Sequence, residues 1–241
     1  MKNLLGRMYP YFYIIITFHH SLLEFFSQMG QKKKHVDSWD NLTTEYPFLE
    51  HYESDISKIN FNLSSHYHEY ISKVSVGFVS TSLKASLFLS VTVNRLKPKR
   101  ILDMGSGFST YIFKSHTEIY ADAEVYSIDE SEFWLDKTRE FLINKGLDTE
   151  NLMTTQTFLE KNNLEFDLVY IDIGDYRERL KHLQQVLKYM LNLEGCVILD
   201  DFHIYPYRKG IKKICLDEGY KIFSLRTQTR SRLKYLALIK K

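Results

Sequence analysis

The stretch Arg100-Ile101-Leu102-Asp103-Met104-Gly105-Ser106-Gly107-Phe108-Ser109-Thr110 decides the fold. Ile101 and Leu102 read as the end of a short buried strand, fed by the connection Lys97-Pro98-Lys99. Gly105 and Gly107 carry no Cβ and tolerate positive φ, so the backbone can turn tightly against a ligand. Ser109 and Thr110 suit the start of a helix that continues through Tyr111-Ile112-Phe113. Strand, glycine turn and helix N-terminus together aim backbone N–H groups at a polar ligand.

Downstream of this turn, strand and helix patterns alternate. Ala123–Ile128 reads as a second strand ending in Asp129-Glu130, and Ser131–Lys145 as a helix closed by Gly146. Leu152–Thr155 is a short third strand, and Phe166–Asp172 a fourth, apolar between two acids. Tyr176–Leu193 has an amphipathic stripe of Leu180, Leu183, Leu187 and Leu191. Gly195–Leu199 is a fifth strand, followed by Asp200-Asp201-Phe202-His203 and a last helix, Tyr205–Glu218, ended by Gly219. Tyr220–Leu225 and Leu233–Ile239 alternate as two strands joined by Gln228–Arg232. Five β-α units and a closing hairpin predict an α/β, doubly wound, mostly parallel sheet with an antiparallel strand at its edge.

Upstream, the pattern differs. Residues 8–27 are apolar around nearly the whole helical circumference, interrupted by His19, His20 and Glu24, and Gln31-Lys32-Lys33-Lys34-His35 follows. The interruptions argue against a signal peptide or a spanning helix. Two roles stay open for residues 8–34: an oligomer or intramolecular packing contact, and contact with a membrane surface through the basic run. Ser64-Ser65-His66-Tyr67-His68-Glu69-Tyr70 looks like a helix start. His66 and His68, two apart, share no helical face and make poor metal ligands. The division expected is a helical N-terminal extension or lid over 1–79 and a ligand-binding domain over 80–241.

The 241 residues, 44% of them hydrophobic, are enough for a full core. Lysine plus arginine (32) nearly balances aspartate plus glutamate (30), so the global basic field of a nucleic-acid binder is missing. Cys196 and Cys215 fit neither a metal spacing nor a disulfide framework, which points to a reduced, cytoplasmic setting.

The ligand follows from the acid inside the turn. A dinucleotide fingerprint wants a third small residue where Thr110 stands, and Asp103 would repel pyrophosphate but can hold a cationic group. The run Asp103-Met104-Gly105-Ser106-Gly107 resembles motif I, D/E-x-G-x-G, of class I S-adenosylmethionine-dependent methyltransferases. With Ser109-Thr110 after it, it looks most like the small-molecule O-methyltransferase branch related to the catechol and sugar enzymes. The resemblance covers about residues 80–241 and implies a Rossmann-like, seven-stranded sheet with an antiparallel C-terminal hairpin. It also implies S-adenosylmethionine held by Asp103, Gly105, Ser106, Gly107, Ser109, Asp129, Glu130, Thr157 and Asp172. Asp129 lies 22 positions beyond Gly107 (129 − 107), where an acid at a strand end grips a ribose diol. The bland alternative is a surface pair, Asp129-Glu130, capping the next helix.

Position by position, Asp172, Asp200 and Asp201 resemble the divalent-metal triad of the catechol and sugar branch, which implies Mg²⁺ or another divalent cation activating an acceptor hydroxyl. Catechol-type enzymes have a lysine three residues after the first metal acid. This chain has Asp175 there, so Asp175 and His203 are the candidate bases. The function this implies is O-methylation of a small hydroxylated acceptor. Alternatives are metal-free methyl transfer, an aminopropyltransferase-like reaction using Asp172 and Asp175, and a non-catalytic cofactor-binding homologue. Nucleic acid is not an expected partner, and the expected location is cytoplasmic or peripheral to a membrane.

Overall fold

The computed structural model describes residues 39–241 apart from 76, 78, 162 and 163, so the apolar and basic segment 8–34 lies outside the described residues. Seven strands form one sheet: β1 (Arg100–Met104), β2 (Glu124–Asp129), β3 (Leu152–Thr154), β4 (Phe166–Ile171), β5 (Leu191–Leu199), β6 (Lys221–Ser224) and β7 (Ala237–Lys240). Their order across the sheet is β3-β2-β1-β4-β5-β7-β6. The first five are parallel neighbours, while β7 runs antiparallel to both β5 and β6. The antiparallel strand is therefore second from the edge, because β7 inserts between β5 and β6 instead of lying outside them. This is a Rossmann-like, doubly wound sheet closed by an antiparallel hairpin.

The described helices are α1 (Trp39–Glu45), α2 (Tyr52–Lys73), α3 (Leu83–Leu96), α4 (Phe108–Thr117), α5 (Glu132–Asn144), α6 (Thr155–Leu159), α7 (Tyr176–Gln185), α8 (Tyr205–Glu218) and α9 (Arg226–Thr229). Two cores flank the sheet. Ile101, Leu168, Tyr170, Cys196 and Ile198 join the core built with α1 to α5. Leu102, Met104, Val169, Ile171, Val197 and Leu199 join the core built with α7 and α8. Successive strand residues thus alternate between faces, and both faces are covered, which is why these strands read as continuous apolar runs.

Three boundaries differ from the sequence expectation. Ser64 lies inside α2, which starts twelve residues earlier because Tyr52, Leu63, Tyr67 and Tyr70 are all buried along it. The helix expected to reach Leu193 ends at Gln185, runs through a π-helical turn at Val186–Met190, and passes straight into β5. Leu191 is drawn into the sheet by pairing with Phe166, a long-range contact that a helical stripe cannot announce. The connection expected at Gln228–Arg232 is longer, since α9 and a bridge between Ser231 and Lys234 precede β7, which starts at Ala237 rather than Leu233. Elsewhere Lys97 ends α3 at φ +50 just before Pro98, Gly219 ends α8 at φ +76, and both cysteines are buried thiols. Among the described residues, no helix is long and apolar enough to cross a membrane.

Candidate functional site

The carboxyl ends of β1, β2, β4 and β5 form the rim where an open α/β sheet takes its ligands. Gly105 sits there at φ +117, and a Cβ on it would lie 2.7 Å from the carbonyl oxygen of Asp172. Both conformation and space exclude a side chain, so the turn after β1 packs directly on the end of β4. Its amides are engaged: Gly105 N donates to Ile128 O (2.8 Å) and Gly107 N to Thr110 Oγ1 (3.0 Å). Tyr70 of α2 covers the turn from above, its hydroxyl 3.3 Å from where a Cβ on Gly107 would be.

Asp103 points into the protein. Its parity along β1 matches Ile101, which turns the carboxylate toward α4. There it accepts hydrogen bonds from Ser109 Oγ (3.0 Å), Thr110 Oγ1 (2.6 Å) and Ser127 Oγ (3.1 Å) and is 0% exposed. Burial raises its pKa to about 7, against the pull of the three hydroxyls. Asp103 and Ser109, both expected at the cofactor, have their side chains engaged inside the protein, tying α4 to the sheet.

Asp129 is different. It is half-buried at the end of β2, with Ser106 N donating to Oδ2 (2.9 Å) and Ser131 N to Oδ1 (2.9 Å). Burial raises its pKa, opposed by those amides. Two backbone bonds fix the carboxylate beside the glycine turn, and each oxygen keeps acceptor capacity. Ser106 Oγ bonds Thr138 Oγ1 (3.1 Å). Glu130 is exposed, its pKa raised by burial and by Glu178, Asp129 and Asp175. Thr157 is exposed on the first turn of α6, with its amide capped by Thr154 Oγ1. Thr154 pairs with Asp129 across the sheet, so Thr157 lies on the same rim.

The pairing of Ile171 with Leu199 brings Asp172, Asp200 and Asp201 together as the sequence suggests. Two cations lie among them. The buried guanidinium of Arg179, from the first turns of α7, reaches Asp172 Oδ1 at 2.9 Å and Asp201 Oδ2 at 3.2 Å. Its Nε donates to Ile173 O (3.0 Å) and its Nη2 to Asp172 O (3.3 Å). Lys234 Nζ lies 3.9 Å from Asp201 Oδ1. Asp200 accepts from Tyr170 Oη (3.2 Å), which also meets Thr81 Oγ1, and from Asp201 N (2.6 Å). Burial pushes Asp172 and Asp200 upward, each raised further by a neighbouring acid and opposed by Arg179 and Lys234. Burial alone would lower Arg179, but Asp172 and Asp201 more than reverse this and raise it.

A divalent ion does not fit this donor set. It would share its oxygens with a guanidinium already bonded to two of the three acids, and no group of three metal-ligating residues is assembled among the described residues. The acids expected to hold a divalent ion, Asp172, Asp200 and Asp201, are thus met by cations of the protein itself.

Of the two candidate bases, Asp175 is the N-cap of α7. Its Oδ1 accepts from Arg177 N (2.7 Å) and Glu178 N (3.2 Å), and these backbone bonds lower its pKa and weaken it as a base. His203 is buried, with Nδ1 3.6 Å from Asp201 Oδ1 and its ring beside Tyr235. Arg179, Lys234, Tyr70 and Thr138 were not expected at the site. Arg179 alone left a trace, being four residues before Leu183 and eight before Leu187, a charge on the buried stripe of its helix.

No family model matches the sequence, and no curated protein matches it either. Solved structures do share its fold. An S-adenosylhomocysteine-bound O-methyltransferase from Bacillus cereus superposes with a TM-score of 0.59 at 16% identity, over 74% of this chain and 90% of that one. A Streptomyces achromogenes O-methyltransferase of tomaymycin synthesis, bound to S-adenosylmethionine, gives 0.59 at 14% identity over 78% and 95%. An S-adenosylhomocysteine-bound methyltransferase from Podospora anserina gives 0.55 at 18% over 74% and 86%.

Proposed function

We propose that this chain is an S-adenosylmethionine-dependent methyltransferase acting on a small hydroxylated acceptor. The observation that carries the reading is Asp129, held by the amides of Ser106 and Ser131 beside a turn that admits only glycine at position 105. A carboxylate fixed in this way can receive both hydroxyls of a ribose, with Glu130 and Thr157 near the nucleoside end. Structures that share the fold hold S-adenosylmethionine or its demethylated product, which supports the choice of cofactor.

The cofactor supplies an electrophilic methyl group on a sulfonium. The protein must orient the acceptor oxygen in line with it, exclude water and accept the proton released. Asp172 stands where the glycine turn meets the β4/β5 rim and keeps 19% side-chain exposure, so it can take a hydrogen bond from an acceptor hydroxyl. Asp175, whose carboxylate is committed to its helix, is the weaker of the two candidate proton acceptors, and His203 lies beside Asp201. No divalent metal enters this scheme.

A second reading has one observation in its favour. Glu130, Asp175 and Glu178 gather around Gly174, an acidic mouth suited to a polyamine. Titration with decarboxylated S-adenosylmethionine separates the two, since aminopropyl transfer would require that form to bind more tightly.

Calorimetry with S-adenosylhomocysteine tests the main reading. Asp129→Ala should weaken binding by about tenfold or more, consistent with the loss of hydrogen bonds to a charged group, whereas Glu130→Ala should change it little. Binding of NAD with no binding of either sulfur ligand would sink the proposal.

A further inference from the structure

The end of β4 meets the end of β5, and three carboxylates converge on one rim of which two, Asp200 and Asp201, are almost fully buried. Such a cluster needs positive charge close by. Arg179 supplies it in a fixed geometry: its fork bonds carboxylates on both strands, while Nε and Nη2 are also anchored on the carbonyls of Ile173 and Asp172. Lys234 approaches Asp201 from the β7 side. Asp200 is held by Tyr170 and by the amide of Asp201, and Asp201 adopts φ +55, a left-handed conformation uncommon outside glycine. Five of the six carboxylate oxygens therefore face a donor or cation belonging to the protein itself: Asp172 Oδ1, both of Asp200 and both of Asp201.

We propose that Arg179, supported by Lys234, is a built-in cation standing where a divalent metal would otherwise neutralise these acids, and that the acceptor is bound and methylated without metal. An acceptor that need not chelate an ion needs no vicinal pair of hydroxyls, so a single hydroxyl or phenol suffices. The guanidinium cannot lose its proton at any working pH, so the positive charge is permanent and exchanges with nothing in solution. Arg179 is on these grounds a positioning residue: it touches the acids that meet the acceptor. The acceptor class rests on the methyl-transfer reading above, whereas the cation assignment rests on the rim geometry alone.

Mn²⁺ binding followed by electron paramagnetic resonance, with thermal melting in Mg²⁺ or EDTA, tests the cation assignment on the full-length protein. Wild type should show no Mn²⁺ site tighter than millimolar and no melting shift with either additive. Arg179→Met should gain Mn²⁺ affinity by about tenfold or more, and Asp201→Asn in that background should remove the gain. Stoichiometric micromolar Mn²⁺ binding by wild type, lost in Asp201→Asn, would overturn the proposal. If Arg179→Met does not fold, that wild-type titration and its Asp201→Asn control decide alone. Calorimetry with S-adenosylhomocysteine runs in parallel. Failure to bind it removes the methyl-transfer reading and leaves the Mn²⁺ result standing, whereas normal binding with a tight Mn²⁺ site removes only the built-in cation. A panel of monohydroxylated and vicinal-diol acceptors, scored for a mass gain of one methylene, then tests the acceptor class. Transfer to diols alone would sink that part.

Discussion

The turn after β1 and the rim at the ends of β4 and β5 both bury carboxylates, and they do so by opposite means. In the turn, Asp103 is surrounded by three neutral hydroxyls and shut off from solvent. At the rim, Asp172 and Asp201 are clamped by a guanidinium, and Asp172 stays partly open. Hydroxyls orient a carboxylate but bring no charge, so burial wins and the Asp103 pKa climbs to about 7. A guanidinium brings charge and direction together, at the cost of being buried itself. The first device fixes architecture. The second leaves an acid available to a substrate.

The rim should prove the more fragile of the two. Arg179→Met takes the guanidinium away from Asp172 and Asp201 and should destabilise the fold by about 3–5 kcal/mol in urea unfolding. A loss below about 1 kcal/mol would mean the clamp matters little. Asp103→Ala deprives three buried hydroxyls of an acceptor and should cost about 2–4 kcal/mol, with Asp103→Asn costing less because one acceptor oxygen remains.

Protonation sharpens the contrast further. Because the folded pKa of Asp103 is raised to about 7 from an ordinary value of 3.8, the folded state holds the proton more tightly than the unfolded chain. This group's contribution is therefore fully favourable below pH 4 and is lost as pH rises toward 7, a swing of roughly 4 kcal/mol at most. Comparing wild type with Asp103→Asn across that range should show the slope flattened in the variant. Unchanged slopes would mean that Asp103 does not carry it.

The smallest effect belongs to Asp175. Asp175→Ala removes the cap of α7 and should cost about 1 kcal/mol, while Asp175→Asn should be nearly neutral because asparagine caps as well. Neither should move the basic or acidic limb of a turnover pH profile. A lost limb would restore Asp175 as the base.

Much of this was legible in the chain. The glycine turn, Asp129 and the convergence of Asp172, Asp200 and Asp201 follow from local pattern, because strand ends and φ-demanding glycines are written in neighbouring residues. The inward aim of Asp103 was not legible, because with both faces of the sheet covered its parity with Ile101 does not say that Ser109, Thr110 and Ser127 would enclose it. Nor were Arg179 and Lys234, because their role depends on two strands and a helix meeting across the sheet. The same holds for Leu191, where pairing with Phe166 overrides a helical period, and for β7, whose place between β5 and β6 no hairpin signal specifies.

The first described helix is fastened to the last strands. Leu42 is fully buried in the same core as Phe223, Glu45 pairs with Lys221, and the ammonium of Lys240 sits 4.7 Å over the ring of Tyr46. Glu45 and Lys221 are 176 positions apart. During synthesis from the N-terminus at 5–20 residues per second, α1 waits roughly 10–35 s before the surface it covers has been made. Docking of this helix on β6 and β7 is thus a late folding event.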